Sequence, residues 1–112
     1  TVRETVTTAP ATTSAPTTAT TAAPSDASGE ALTDQATALL SQGRWAEAEA
    51  AARQALTKLE GTGELYEAYA SYNLGRALVE QRRCDEALLY LDRSEQIQGN
   101  RKEIRQARKR CS

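Results

Sequence analysis

Residues 36–48 read ATALLSQGRWAEA, and residues 75–87 read GRALVEQRRCDEA. The two stretches align at an offset of 39 residues, with small and large side chains in the same positions. A period of about 20 to 50 residues indicates an array of stacked supersecondary units, because one unit cannot bury its apolar side alone. The repeat therefore predicts the fold class before any single residue points to a function.

Apolar residues at helical spacing extend outward from the repeat and predict five helices. The predicted helices cover residues 30–42, 46–60, 64–81, 84–97 and 101–111. Asp26 or Ser28 can cap the first helix, and Gly43 ends it where the chain needs a left-handed turn. Ile104 and Ala107 lie on one apolar stripe of the fifth helix. The predicted fold is all-α, with two stacked antiparallel helix hairpins and a C-terminal capping helix.

Gly75 falls inside the third predicted helix. A glycine there costs about 1 kcal/mol relative to alanine, so we expect another helix to pass too close for a Cβ. Ala36 holds the aligned position in the first repeat. Small residues at both positions are typical of interlocked helical hairpins.

Residues 1–28 differ in composition from the rest of the chain. They hold ten Thr, seven Ala, three Pro and three Ser, and no apolar period runs through them. Such a segment cannot bury enough surface to offset the entropy of ordering, so we expect a disordered linker ahead of a helical domain at 29–112. Ser/Thr/Pro-rich linkers are typical of extracytoplasmic stalks, and a flexible cytosolic linker is the alternative.

The chain contains no apolar run of about 20 residues, the length that spans a bilayer. It begins with Thr rather than Met and shows no signal peptide, which indicates a processed product or a piece of a larger protein. We therefore expect no membrane insertion by this segment, and a tether through a transmembrane segment that lies outside it.

Charge is unevenly distributed along the chain. Residues 1–100 carry 8 basic and 14 acidic side chains, whereas residues 101–112 carry 6 basic and 1 acidic. We interpret the basic end as a solvated helix face, and we expect no nucleic-acid binding because the acidic remainder would repel phosphates. The chain has no His, no Gly-rich phosphate loop and no nucleophile beside a base. The sequence therefore predicts no enzyme active site, no metal site and no cofactor.

The two repeats resemble the tetratricopeptide repeat, a pair of antiparallel helices. Members of that family place small residues where helices cross, large residues near the turn, and an acidic-Glu-Ala step after it. The matching positions are Ala36, Leu39, Gly43, Trp45, Glu47, Ala48, Ala55 and Leu56, then Leu74, Gly75, Leu78, Asp85, Glu86, Ala87, Tyr90 and Leu91. A period of 39 rather than about 34 resembles the longer kinesin-light-chain-like variant. Two departures are Cys84 in the aromatic slot of the second turn and the absence of the usual Pro after each repeat.

The resemblance implies a concave groove for a protein or peptide partner, lined by the first helix of each hairpin. Five candidate residues recur every three or four positions along the third helix, with a sixth, Tyr72, beside them; the five are Tyr66, Tyr69, Asn73, Arg76 and Glu80. They combine aromatic area, an amide and a cation, and Tyr and Arg are frequent anchors at interfaces. The alternative is structural: the tyrosines pack between helices, and Arg76 pairs with Glu80 one turn further on.

In the stacked hairpins that the resemblance implies, the third and fifth helices run parallel and end at the same edge. Cys84 lies at the turn after the third helix and Cys111 at the end of the fifth, so we expect the two to meet. We predict a disulfide between them, and the alternative is two unrelated thiols. Zinc is not expected, because two Cys and no His leave too few ligands.

The function predicted from these features is a noncatalytic module that binds a protein or peptide, or associates with itself, outside the cytoplasm. The Thr-rich tail followed by disulfide-bearing repeats resembles the extracytoplasmic C-terminal region of actinobacterial transmembrane Ser/Thr protein kinases, which implies a sensor or scaffold role. Two alternatives stay open. One is a structural or dimerisation domain of a secreted or envelope protein, and the other is a cytosolic adaptor with reduced cysteines.

Overall fold

The computed structural model describes residues 28–111, and within them it contains five helices and no strand. The helices are α1 (Gly29–Ser41), α2 (Trp45–Leu59), α3 (Leu65–Glu80), α4 (Cys84–Gln98) and α5 (Lys102–Lys109). The predicted all-α class and the five helices are confirmed, although α5 ends two residues earlier than expected. The predicted linker lies outside the described residues, except for Ser28. No helix within residues 28–111 has the length and apolar character needed to cross a membrane.

The helices form two antiparallel hairpins, α1–α2 and α3–α4, and α3 contacts each of the other four helices. The core is built almost entirely from alanine and leucine, which lets the helices pack closely. Its fully buried members include Leu32, Ala36, Ala48, Ala52, Ala55, Leu74, Ala77, Leu78, Ala87, Leu91 and Ile104. Helix α5 covers the exposed side of the second hairpin through Ile104 and Ala107, so it acts as the predicted cap of the stack.

Gly75 lies where α4 passes closest to α3. A Cβ built on this residue would stand 2.8 Å from Cγ of Leu91 and 3.3 Å from the carbonyl oxygen of Ala87. Real Cβ atoms do not approach another carbon so closely, and Leu91 is fully buried and has no room to move. The close approach predicted from this glycine is confirmed.

Both hairpins turn with the same backbone geometry. Ser28 caps the start of α1 by accepting a hydrogen bond from the N–H of Ala31 at 3.0 Å. At the other end, Gly43 has φ of 75°, and its N–H donates to the carbonyl of Leu40 while the N–H of Arg44 donates to that of Leu39. This pair of bonds is a Schellman motif, which requires a left-handed residue after the helix.

Arg82 occupies the same left-handed position in the second hairpin, 39 residues after Gly43. Its φ is 66°, and within residues 28–111 it is the only residue other than glycine with a positive φ. The N–H groups of Arg82 and Arg83 donate to the carbonyls of Val79 and Leu78 at 3.0 and 2.9 Å, repeating the bonds of the first turn. The second hairpin therefore repeats the turn geometry of the first, but it has arginine where glycine would fit the left-handed backbone best.

Replacing Arg82 with glycine is expected to raise the free energy of unfolding by about 0.5 to 1 kcal/mol. A left-handed backbone strains a residue that carries a Cβ, and part of the gain is offset by the greater freedom of glycine in the unfolded chain. Urea denaturation of the two proteins measures the difference. Gly43→Ala, at the aligned turn, should lose stability instead. A less stable Arg82→Gly variant would contradict this account of the turn.

A disulfide joins Cys84 at the start of α4 to Cys111, which follows the end of α5. The two Cα atoms are 5.6 Å apart, and 27 positions separate the residues in sequence. The bond closes the loop that contains α4 and α5, so it fastens the capping helix to the edge of the stack.

Candidate partner-binding groove

A surface depression of about 610 Å³ lies between α1 and α3, the first helices of the two hairpins. Its walls are formed by Thr37, Leu40, Ser41, Gln42, Gly43, Trp45, Tyr72, Asn73 and Arg76. We call this feature the inner groove. Three of the six candidate residues, Tyr72, Asn73 and Arg76, line it. Tyr66 and Tyr69 lie nearer the start of α3, outside this depression.

Arg76 and Trp45 form one end of the inner groove. The guanidinium of Arg76 stands 5.8 Å from the centre of the Trp45 ring, within the range of a cation–π contact. Its Nε donates to Glu80 at 3.1 Å, so the intrahelical pair considered in the sequence forms, and Glu80 also pairs with Arg110. Burial acts to lower the pKa of Arg76, but hydrogen bonds to Tyr72 and Glu80 outweigh it and raise that pKa. Arg76 therefore stays positively charged, and its contacts with Trp45 and Glu80 hold the side chain in place.

Tyr72, which lines the inner groove, lies beside a second cation. The guanidinium of Arg101 lies 5.8 Å from the centre of the Tyr72 ring. Arg101 precedes α5 and donates from Nη2 to the hydroxyl of Ser94 at 3.2 Å. The residue just before the capping helix therefore adds a cation beside Tyr72, a contact that the interpretation of the basic end as a solvated helix face does not include.

Asn73 is buried between α1 and α3. Its Nδ2 donates to the carbonyl of Thr33 at 3.2 Å and to the hydroxyl of Thr37 at 2.9 Å, so both amide hydrogens are used within the fold. This leaves the amide oxygen as the group of Asn73 that can accept a hydrogen bond from a partner. The residue fixes the spacing of the two groove walls.

The opposite end of α3 is aromatic and acidic. The rings of Tyr66 and Tyr69 meet edge to face, with centres 5.5 Å apart. The negative charge of Asp34 on α1 is the largest cause of the raised pKa of Tyr66, followed by burial and by Glu30. The acidic residues Glu30 and Asp34 thus lie near the start of α3, whereas the cation Arg76 lies near its end.

Trp45 is the one aromatic residue among the six lining residues of the inner groove that the candidate site predicted from the sequence does not contain. The sequence places Trp45 at the turn of the first hairpin, where it packs partly against the core. The signal available in the sequence was its place directly after the Gly43 turn, because that turn brings the first residue of α2 back beside the end of α1. Trp45 is therefore both a packing residue and a wall of the groove.

A family model of the tetratricopeptide repeat matches residues 33–101 of the chain. None of the curated proteins and none of the solved structures matches the chain. The matched stretch contains both hairpins and covers more than half of the 112 residues. The chain belongs to the tetratricopeptide repeat family.

Proposed function

We propose that this domain is a noncatalytic binding module that takes a protein or peptide segment into the inner groove. Tetratricopeptide repeats generally mediate protein–protein interactions. The observation that carries the proposal is the cluster of Trp45, Tyr72 and Arg76 around one open depression, each side chain only partly buried. Trp, Tyr and Arg are the residue types that contribute most to binding energy at protein interfaces.

The arrangement of the cluster supports binding because it is held in place before a partner arrives. Trp45 packs against the core, Arg76 is oriented by Glu80, and Asn73 ties the two walls together. Fixing side chains in advance lowers the entropy cost of association. The groove needs little rearrangement to accept an extended segment or a short helix.

Binding to the inner groove can be followed without a label, since Trp45 is the only tryptophan in the chain. Peptides selected against the wild-type chain by display should shift its fluorescence on titration. Arg76→Gln is expected to weaken such a peptide at least tenfold, because it removes a partly desolvated cation from the groove. Arg105→Gln, which changes an exposed arginine on α5, is the matched control and should bind as the wild type does. Equal binding by all three proteins would contradict the proposal.

We also propose that the domain works outside the cytoplasm. The Cys84–Cys111 disulfide supports this location, because such bonds persist in oxidising compartments. The Thr/Ala/Pro-rich composition of residues 1–28 agrees with a stalk. Peptide mass mapping of the chain isolated from its own cells, under alkylating conditions, tests the location: recovery of both cysteines as free thiols would favour the cytosolic adaptor.

The parentage in a transmembrane Ser/Thr kinase stays a prediction, as does the assignment to the kinesin-light-chain-like variant. If the first is correct, the groove belongs to a sensor or scaffold, and the residues preceding Thr1 would contain a membrane span with a kinase domain before it. Sequencing the parent gene upstream of Thr1 decides this question.

A further inference from the structure

A second depression lies on the other side of α3, between α2 and α4. It consists of two adjoining hollows of about 450 and 290 Å³, which share Leu56, Glu60 and Tyr90. Glu67, Ser71 and Leu74 on α3 form its floor, and Arg53, Leu89 and Arg93 also line it. An α-helix turns by 100° per residue, so Glu67, Ser71 and Leu74 point away from the side of α3 that bears Tyr72 and Arg76. We call this feature the outer trough.

An exposed leucine stands on the rim of the outer trough. Leu89 is 67% exposed, and Leu65, at 48%, is the other exposed large apolar residue between residues 28 and 111. A single exposed apolar side chain is ordinary in a soluble protein. Leu89 differs from Leu65 because it lines the larger hollow, together with Leu56 and Tyr90. The exposed Leu89 side chain and the hollow therefore lie side by side on one face of the domain.

Charges of alternating sign mark the four corners of the outer trough. At one end Arg53 on α2 pairs with Glu86 on α4 at 2.6 Å. At the other end Glu60, which follows α2, stands opposite Arg93 on α4. The pKa of Arg93 is raised first by its hydrogen bond to Glu67, and the charge of Glu60 adds to that. The α2 side of the trough thus presents Arg53 and Glu60, and the α4 side presents Glu86 and Arg93, with Leu56 and Leu89 between these charges.

This pattern is complementary to itself. A half-turn about an axis along the trough, or about one across it, brings each corner charge opposite a charge of the other sign on a second copy. The half-turn about the axis along the trough also brings Leu89 from the α4 rim over the α2 side of the facing copy, where Leu56 lies. The half-turn about the axis across the trough brings Leu89 over the α4 side of the facing copy, toward the Leu89 of that copy. Closed dimers require such a self-complementary patch, since each residue of the interface meets the surface of an identical chain.

We propose that the outer trough is the docking surface for a second copy of this chain, which forms a two-fold symmetric dimer around Leu89. The interface is separate from the inner groove and does not depend on it. Both grooves of the dimer stay open on the far sides of the pair, so a partner with two binding segments, or two partners on one surface, would be held with increased avidity.

Sedimentation equilibrium of the full 112-residue chain over a range of concentrations tests the dimer. The average mass of the wild type should rise toward twice the monomer mass. Leu89→Glu is expected to weaken association at least tenfold, because it places a charge in the apolar centre of the interface. Leu65→Glu makes the same change at the exposed leucine outside the trough and should associate as the wild type does.

A second pair of variants tests the charge pattern. Glu60→Lys puts a cation where the facing copy presents Arg53 or Arg93, so its association should weaken. Glu64→Lys reverses an exposed charge of the same kind outside the trough and should not change it. A wild type that stays monomeric at the highest concentration overturns the proposal. So does a Leu89→Glu variant that dimerises normally, or a Leu65→Glu variant that is weakened as much as Leu89→Glu.

Discussion

Arg93→Leu is expected to lower the free energy of unfolding by about 3 kcal/mol at pH 7, through the carboxylate that it leaves behind. The Glu67 side chain on α3 is 1% exposed, and Arg93 on α4 meets it with two hydrogen bonds, from Nε at 2.8 Å and from Nη2 at 3.1 Å. Removing the arginine leaves the carboxylate of Glu67 buried and charged, with the N–H of Gly63 still donating a hydrogen bond to it. Because the Arg93 side chain is itself 39% exposed, water can enter after its removal, and we expect the lower end of the range for broken buried pairs.

The loss caused by Arg93→Leu should shrink as the pH falls from 7 toward about 4, where a glutamate normally titrates. In the wild type the hydrogen bonds from Arg93 are the main cause of the lowered pKa of Glu67, and burial opposes them. This group therefore stabilises the wild-type fold above the pKa of an unfolded glutamate, and the contribution is lost as the pH falls through its folded value. In the variant, burial without the arginine raises the pKa of Glu67, so protonation on acidification relieves the buried charge.

Urea denaturation at pH 7, 5.5 and 4.5 measures both effects. Replacing the pair together, as Glu67→Gln with Arg93→Leu, should recover at least half of the lost stability, because no buried charge remains. Arg105→Leu, on the exposed face of α5, controls for the loss of a surface arginine and should change stability by less than about 0.5 kcal/mol. A Glu67→Gln/Arg93→Leu protein no more stable than Arg93→Leu would rule out the buried charge as the cause.

The arrangement of the helices was predictable because it depends on positions that the sequence repeats. Gly75 and Ala36, aligned at the 39-residue offset, identify where helices cross, and the bulk of Leu91 opposite Gly75 explains why. The same offset aligns Arg82 with Gly43, so the alignment also identifies the position of the strained turn. Arginine, however, does not by itself indicate a left-handed backbone.

The polar contacts between helices were not predictable in this way. Glu67 and Arg93 lie 26 positions apart, and many other carboxylate–arginine combinations are possible between α3 and α4. A periodic pattern places a side chain on a face of a helix, but the hydrogen bonds that it makes depend on rotamers and on the crossing of two helices. For that reason the amide of Asn73, proposed as a contact for a partner, could not be recognised from the sequence as a link between α1 and α3.

Removing the disulfide, by Cys84→Ser together with Cys111→Ser, is expected to cost about 3.5 kcal/mol, the chain-entropy value for a closed loop of this length. The bond spans 27 positions, and the whole of α4 and α5 lies between its ends. Reducing the wild type should have the same effect as the double substitution. Thiol titration of the unreduced, denatured wild type should find no free thiol, and a titre of two would contradict the bond itself.

The lost stability should appear first in α5. This helix has eight residues, too few to persist alone in water, and it is held to α3 and α4 by Ile104, Ala107 and the bond at its end. Without the bond, α5 should exchange its amide hydrogens at least tenfold faster, whereas α1 and α2, which the closed loop does not include, should keep most of their protection. Hydrogen exchange with mass analysis separates the two regions in one experiment. Equal acceleration in all five helices would mean that the disulfide stabilises the stack as a single cooperative unit, and the description of α5 as a separately fastened cap would then be wrong.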